Sequence, residues 1–242
     1  DNLSKVVVQC HESNVKCYLA LNTVMYDHDL NLARKILVEA QNTGVDAVIV
    51  SDIAVMQLAK ELNYPIHIST QANISNIEAV AFYASFSDVV VLARELSLMQ
   101  VKSISREIER RNIRGVSGEL MRLEIFCHGA LCMAISGKCH MSLHANFSSA
   151  NRGACIQNCR KKYIVKEKDS ETEFEVDNEY IMSAKDLCTI NFLDKIIDAG
   201  TKIIKIEGRG RSVDYVYTTV KCYREAIDAI EEGTYTKKKV AD

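Results

Sequence analysis

Short apolar runs bounded by polar residues recur along the chain, at 17–21 (CYLAL), Ala47–Val50 (AVIV), 66–69 (IHIS), 89–93 (VVVLA), 123–127 (LEIFC) and 203–206 (IIKI). Each is too short and continuous to be half-exposed, and predicts a strand buried on both faces, as in a parallel sheet. Amphipathic stretches with helical spacing lie between them at 30–41, 54–62, 77–84, 98–111, 184–199 and 213–231, and the opening residues 3–11 also read as a helix. Strand and helix in alternation predict right-handed βαβ crossovers, hence an α/β fold that is either a doubly wound sheet or a (β/α)₈ barrel. Six strands with a helix in front make a barrel lacking its first two β/α units. Roughly 60 further residues would bring it to the usual ~250 plus an insertion.

The rhythm breaks once, after Cys127. Residues 128–180 are expected to form a Cys-rich insertion within a barrel domain of 1–231, with 232–242 a tail or the start of a linker. A connection that long inside a compact domain is usually functional or disordered, and its Cys content argues for function. Within it, 169–179 (DSETEFEVDNE) reads as a solvated hairpin or loop.

Composition narrows the picture. Among 242 residues, 48% are hydrophobic and 26% charged, which excludes a disordered or collagen-like chain. The 30 basic residues face 32 acidic ones, so there is no global positive field to recruit nucleic acid, and any RNA contact must be local. No apolar run approaches the ~18 residues of a membrane span and no secretory signal is apparent, so the chain reads as cytoplasmic, with no membrane partner. In that reducing compartment the 9 Cys are not a disulfide framework. Either most are small core residues or several bind something. Oligomeric state leaves no trace in the pattern.

Ligands of parallel α/β folds bind at the carboxyl ends of the strands. The residues leaving the runs are polar there: Asn22 and Thr23, Ser51 and Asp52, Thr70 and Gln71, Arg94 and Glu95, His128, and Glu207 and Arg209. Together they predict a ringed cleft, with Asn22, Asp52 and Gln71 as cofactor-binding groups. Arg94 and Arg209 would hold a carboxylate or phosphate, while Glu95, Glu207 and His128 orient it or relay protons. The segment Gly208-Arg209-Gly210-Arg211-Ser212 would bring backbone amides and a helix start to an anion, although it is not a P-loop.

The strongest constellation is Cys132-x6-Cys139-x15-Cys155-x3-Cys159. Four thiols so close in sequence can converge on one ion or cluster without long loop closure. Structural zinc favours two tight Cys pairs and only Cys155 and Cys159 make one, so an iron–sulfur cluster suits the set at least as well as zinc. Cys127 reads as core, Cys188 and Cys222 as structural thiols on helices with Cys188 the reserve ligand, and Cys10 and Cys17 as core or surface. No H-E-x-x-H or G-x-S-x-G appears, and Cys127 and His128 point to opposite faces of a strand, so they cannot pair as nucleophile and base.

The segment Phe126-Cys127-His128-Gly129-Ala130-Leu131-Cys132-x4-Gly137-Lys138-Cys139-His140-Met141-Ser142 resembles the signature of peptidase family U32, the collagenase-like peptidases. Arg152-Gly153-Ala154-Cys155-Ile156-Gln157-Asn158-Cys159-Arg160 is similar to its second segment, and Ser183-Ala184-Lys185-Asp186-Leu187-Cys188 and Lys205-Ile206-Glu207-Gly208-Arg209 also match. The resemblance covers about residues 15–231. It implies a TIM-like barrel whose first two strands, with the family's usual Ala-Pro-Ala-Gly opening, are not in this sequence.

In function, the resemblance implies either proteolysis of collagen-like substrates or hydroxylation. Some members hydroxylate tRNA or rRNA bases, by oxygen-independent or prephenate-dependent routes, and others hydroxylate ubiquinone precursors. In the ubiquinone branch four Cys hold a [4Fe-4S] cluster, and by motif they match Cys132, Cys139, Cys155 and Cys159. The run Arg160-Lys161-Lys162-Tyr163 after them looks more like the RNA-modifying branch. The leading expectation is an iron–sulfur-dependent RNA hydroxylase acting on a tRNA uridine with a small carboxylate cosubstrate such as prephenate. The alternatives are a collagenase-like peptidase, a zinc-stapled binding protein and a ubiquinone-precursor hydroxylation factor.

Overall fold

The structure is a computed structural model and describes residues 2–166, 168–170, 173–176 and 185–236. The elements are α1 (Asn2–Glu12), β1 (Tyr18–Leu21), α2 (Leu30–Asn42), β2 (Ala47–Val50), α3 (Ile53–Glu61), β3 (Ile66–Ile68), α4 (Ile77–Tyr83), β4 (Val89–Val91) and α5 (Leu98–Arg110). They continue with β5 (Arg122–Gly129), α6 (Met141–Asn146), β6 (Tyr163–Lys166), β7 (Glu173–Val176), β8 (Leu187–Cys188), α7 (Leu193–Asp198), β9 (Ile203–Glu207) and α8 (Val213–Glu231). The chain divides into two compact units, one running up to Ile125 with Ile197–Ile203, the other comprising Phe126–Ile196 and Ile204 onwards.

In the first unit β1 to β5 pair in parallel and in sequence order, β1-β2-β3-β4-β5. A doubly wound sheet reverses its order at a switch point, whereas a barrel adds each strand beside the last. The observed α/β winding is therefore the kind a TIM-like barrel uses. Alternation sorts the strand residues. Val48, Val50, Ile66, Ile68, Val90, Leu92 and Leu123 belong to one core together with Leu37, Met56, Ile104 and Ile108 from the helices. Val89, Val90 and Val91 are all fully buried, as strands covered on both faces require. On the face away from that core His67 Nδ1 lies 3.6 Å from Glu124 Oε2, and the Tyr18 ring packs on His67 at 4.7 Å.

Side-chain caps position the helices. Asp52 Oδ1 accepts from Ala54 N at the start of α3, Asn76 caps α4, and Ser97 and Gln100 form a capping box on α5. A further polar staple lies inside the sheet. The wholly buried Ser87 donates to Ile66 O at 2.5 Å and accepts from Val89 N at 3.0 Å.

The second unit departs from the expected regularity. The stretch expected to be one helix over 184–199 contains strand β8, a 3-10 turn at Ile190–Phe192 and the short α7. β8 pairs antiparallel with the end of β5, His128 facing Cys188 and Gly129 facing Leu187. Tertiary pairing has overridden the helical spacing of DLCTINFL, so Cys188 is an exposed strand thiol and not a helical one. β5 also runs two residues further than expected, so His128 lies within the strand. β6 and β7 form an antiparallel hairpin across the acidic segment. Residues 171–172 and 177–179 of that segment, the Ser183-Ala184 part of the family-like motif and tail residues 237–242 lie outside the described residues. Among the described residues no helix is long and apolar enough to cross a membrane.

Candidate functional site

The expected strand-end groups fall in both units, and the two sets are taken in turn. In the first unit, Asn22 Nδ2 donates to Ser69 Oγ at 3.1 Å, and Ser51 Oγ donates to the Asn22 carbonyl at 2.8 Å. Both carboxylate oxygens of Asp52 are engaged by backbone amides, Oδ1 by Ala54 N and Oδ2 by Met25 N at 3.2 Å, so this side chain holds the loop after β1 to the start of α3. Gln71 follows Thr70 in a 3-10 turn, and its Oε1 is buried without a hydrogen-bond partner. Arg94 is half-buried and Glu95 exposed. The structure thus links Asn22 to Ser51 and Ser69, while Asp52 ties the loop after β1 to α3.

In the second unit, His128 has Cys188 as its cross-strand neighbour. Thr189 N donates to Cys127 O at 3.1 Å, so Cys127 and Thr189 form the hydrogen-bonded pair of this ladder. His128 and Cys188 therefore form the non-hydrogen-bonded pair, whose side chains stand closest and on one face. Cys127, on the opposite face, is sealed in. Its Sγ donates to Lys205 O at 3.3 Å and burial pushes its pKa up to about 12. Tyr223 locks the arrangement, its hydroxyl donating to Cys127 O at 2.8 Å and accepting from Thr189 N at 3.0 Å.

Around His128 the fold gathers Tyr215 and Tyr223, which sequence reasoning did not select, together with Arg160, Asp186 and Arg211. The His128 ring lies 5.8 Å from Tyr215 and 5.5 Å, edge-on, from Tyr223. The Arg211 guanidinium stacks over the Tyr215 ring at 5.0 Å and donates to Asp186 Oδ2, while Arg160 Nη2 lies 3.6 Å from Asp186 Oδ1. His128 Nδ1, Tyr215 Oη and Asp186 Oδ1 are buried without a hydrogen-bond partner. Burial lowers the His128 pKa, outweighing the Asp186 carboxylate that raises it, so the imidazole is neutral at pH 7. Burial likewise raises the Tyr215 pKa and keeps its hydroxyl protonated. The expected Arg209 is exposed, its backbone N–H donating to Glu207 Oε1 at 2.8 Å. Arg211, two residues on, is the arginine that joins the cluster. The basic run was legible at 160–162, but Arg160 turned inward to Asp186 was not.

The four thiols of the Cys motif are free, Cys132 and Cys155 exposed, Cys139 and Cys159 half-buried. Side chains stitch the segments that carry them. Asn151 Oδ1 accepts from Cys139 N at 3.0 Å, Ser142 Oγ from Ile156 N at 3.0 Å, and Asn158 Nδ2 donates to Asn146 Oδ1 at 2.8 Å. Met141 N donates to Cys139 Sγ at 3.4 Å. Burial first, then Cys132, Cys155 and Cys139, raise the Cys159 pKa, with Arg160 opposing them. Thiolates gathered at one point repel one another unless a cation lies between them. Among the described residues no three His, Cys, Asp or Glu side chains already stand in metal-ligating geometry.

A sequence model of peptidase family U32 matches residues 1–242. The chain belongs to peptidase family U32. Among the family's curated proteins it is similar to a collagenase of Porphyromonas gingivalis, 52% identical over 240 residues, covering 99% of this chain and 58% of that protein. It is 35% identical over 234 residues to a 23S rRNA 5-hydroxycytidine synthase of Escherichia coli, covering 96% of this chain and 33% of that protein. It is 33% identical over 220 residues to a tRNA hydroxylation protein of Bacillus subtilis, covering 88% of this chain and 50% of that protein. The chain thus spans between a third and three fifths of the length of these curated relatives.

Proposed function

We propose that this chain is part of an iron–sulfur-dependent RNA hydroxylase acting on a tRNA uridine in the cytoplasm, with a small carboxylate such as prephenate as cosubstrate. The observation that carries the reading is the four-thiol segment, whose Cys132, Cys139, Cys155 and Cys159 lie close together in sequence on a loop stitched by Asn151 and Ser142. An all-thiolate donor set suits a [4Fe-4S] cluster, and a bound cluster supplies one-electron chemistry. The relatives named for tRNA and rRNA hydroxylation support the RNA substrate. Within this reading Cys132, Cys139, Cys155 and Cys159 hold the cluster, Met141 N hydrogen-bonds one of its thiolates, and neutral His128 is available to carry a proton at Nδ1.

Anaerobic purification followed by iron and sulfide analysis tests the cofactor. About four irons and four sulfides per chain are expected, with loss of most of both in Cys132→Ser or Cys159→Ser. A colourless, zinc-loaded protein would overturn the reading. Nucleoside mass spectrometry of tRNA from a deletion strain tests the substrate, and a hydroxylated uridine is expected to disappear.

The collagenase-named relative favours a second reading, proteolysis. His128 beside Cys188 is the pair through which a thiol peptidase would act. Gelatin digestion that persists without iron and vanishes in Cys188→Ser would select it over RNA hydroxylation.

A further inference from the structure

We infer that Cys10 and Cys17 form a redox-active dithiol, a site of reversible disulfide modification that fastens the end of α1 to the start of β1. Neither belongs to the Cys132–Cys159 motif, so the inference stands apart from the iron–sulfur reading. Val7, Cys10 and His11 stand at helical spacing on one face of α1. That face packs inward, with Val7 buried in the core of the first unit and His11 Nε2 3.0 Å from Asp46 Oδ2 just before β2. The chain then doubles back. Val15 N donates to Cys10 O at 2.8 Å and Asn14 N to His11 O at 2.9 Å, with Asn14 at φ +54°, the paired bonds of a Schellman motif. Cys17 follows two residues later and packs against the same core. Its N–H donates to Asp46 Oδ2 at 2.7 Å, and Asp46 N donates to Cys17 O at 2.9 Å. A single carboxylate oxygen therefore holds Cys17 and the neighbour of Cys10 together.

The two thiols suit exchange with a disulfide. Both are free and half-buried, so a small oxidant reaches them. Burial first, then the Cys10 thiol, raises the Cys17 pKa, which leaves Cys10 to supply the attacking thiolate. With a small disulfide such as oxidised glutathione as oxidant, Cys10 Sγ attacks one sulfur and the other leaves as a thiolate. Cys17 Sγ then attacks Cys10 Sγ in the mixed disulfide and expels the second glutathione thiolate. The two cysteine protons pass through water to the two thiolates. The protein loses two electrons and the oxidant gains them, giving one Cys10–Cys17 bond and two reduced glutathiones. In a reducing compartment such a bond is transient, and it closes a ring of eight residues that ties helix to strand.

The test is a glutathione redox titration of the whole chain as purified, with free thiols alkylated and the disulfides mapped after trypsin. Cleavage after Lys5, Lys16 and Arg34 puts Cys10 in peptide 6–16 and Cys17 in peptide 17–34, so their joining is read separately from any bond in the Cys132–Cys159 motif. The joined pair is expected to form, to be reversed by dithiothreitol, and to be oxidised about tenfold more readily in the folded chain than in urea. Oxidation should raise the urea midpoint of the parent but not that of Cys17→Ser, whose folding is checked by circular dichroism. Asp46→Ala, which loses the bonds to both His11 and Cys17 N, should lose most of the folded chain's advantage over urea. The inference is overturned if folded protein keeps Cys10 and Cys17 as separate alkylated or glutathione-capped thiols. It is overturned equally if the pair closes no more readily folded than in urea, since sequence proximity alone would then explain it.

Discussion

Replacing Gly129 with Ala isolates the close approach of β5 to β9 beside the His128 cluster. Gly129 has φ +105°, and a Cβ built on it would lie 2.3 Å from the Glu207 carbonyl oxygen and 2.9 Å from Glu207 Cβ. Ordinary contact begins near 3.4 Å, so the two backbones must separate by roughly 1 Å or the residue must twist. A side chain forced into such a backbone conformation costs about 1–3 kcal/mol. Inserting a methyl into a closely packed position costs about 1–3 kcal/mol more. Gly233 offers the control, with φ +70° and nothing within 4 Å of an added Cβ, so Gly233→Ala incurs the backbone cost alone. Urea unfolding of both variants, with the slope checked for constancy, measures the difference. Gly129→Ala should be the less stable by about 1–3 kcal/mol, the packing contribution, with its melting temperature lower than that of Gly233→Ala by several degrees. If the two variants unfold at the same denaturant concentration, the tight approach of β5 and β9 is refuted.

Ser87→Ala should destabilise the chain by about 1–3 kcal/mol, because it leaves the buried Ile66 carbonyl and Val89 N–H without their shared partner; urea midpoints of the variant against the parent check it. Asp46 accepts hydrogen bonds from His11 and from Cys17 N at 2.7 Å, and these hold its pKa below the usual carboxylate value. A carboxyl depressed in the folded state stabilises above its unfolded pKa, near 3.9, and loses that contribution as the pH falls through the folded value. The stability gap between the parent and Asp46→Asn should therefore be constant from pH 5 to 7 and narrow below about 4. A gap that widens in acid would show that the bonds to Asp46 do not operate in solution.

Local pattern determined much of the fold. Buried parallel strands must be apolar on both faces, so CYLAL, AVIV, IHIS, VVVLA and LEIFC announce β1 to β5, and helical spacing announces α2, α3 and α5 between them. The four Cys were legible as a group because they sit close together in sequence, and the family match was legible from their surroundings. Elsewhere the pattern misled. The helical spacing of DLCTINFL concealed β8, since a two-residue strand is specified by the backbone groups of β5 opposite it and not by its own periodicity. The strand-end pattern singled out Arg209 within the segment 208–212, and the turn after β9 leaves Arg209 exposed while Arg211 donates to Asp186, a pairing no local pattern announces.

What only the tertiary structure decided is the company each residue keeps. His128 meets Cys188 across a strand pair 60 positions apart, and Arg160, Asp186 and Arg211 meet from three separate segments. A strand or helix declares itself through repeats a few residues long, because its hydrogen bonds and its apolar face are local. A binding cluster has no such repeat. Its members are joined by chain reversals whose geometry is decided by burial and pairing throughout the unit.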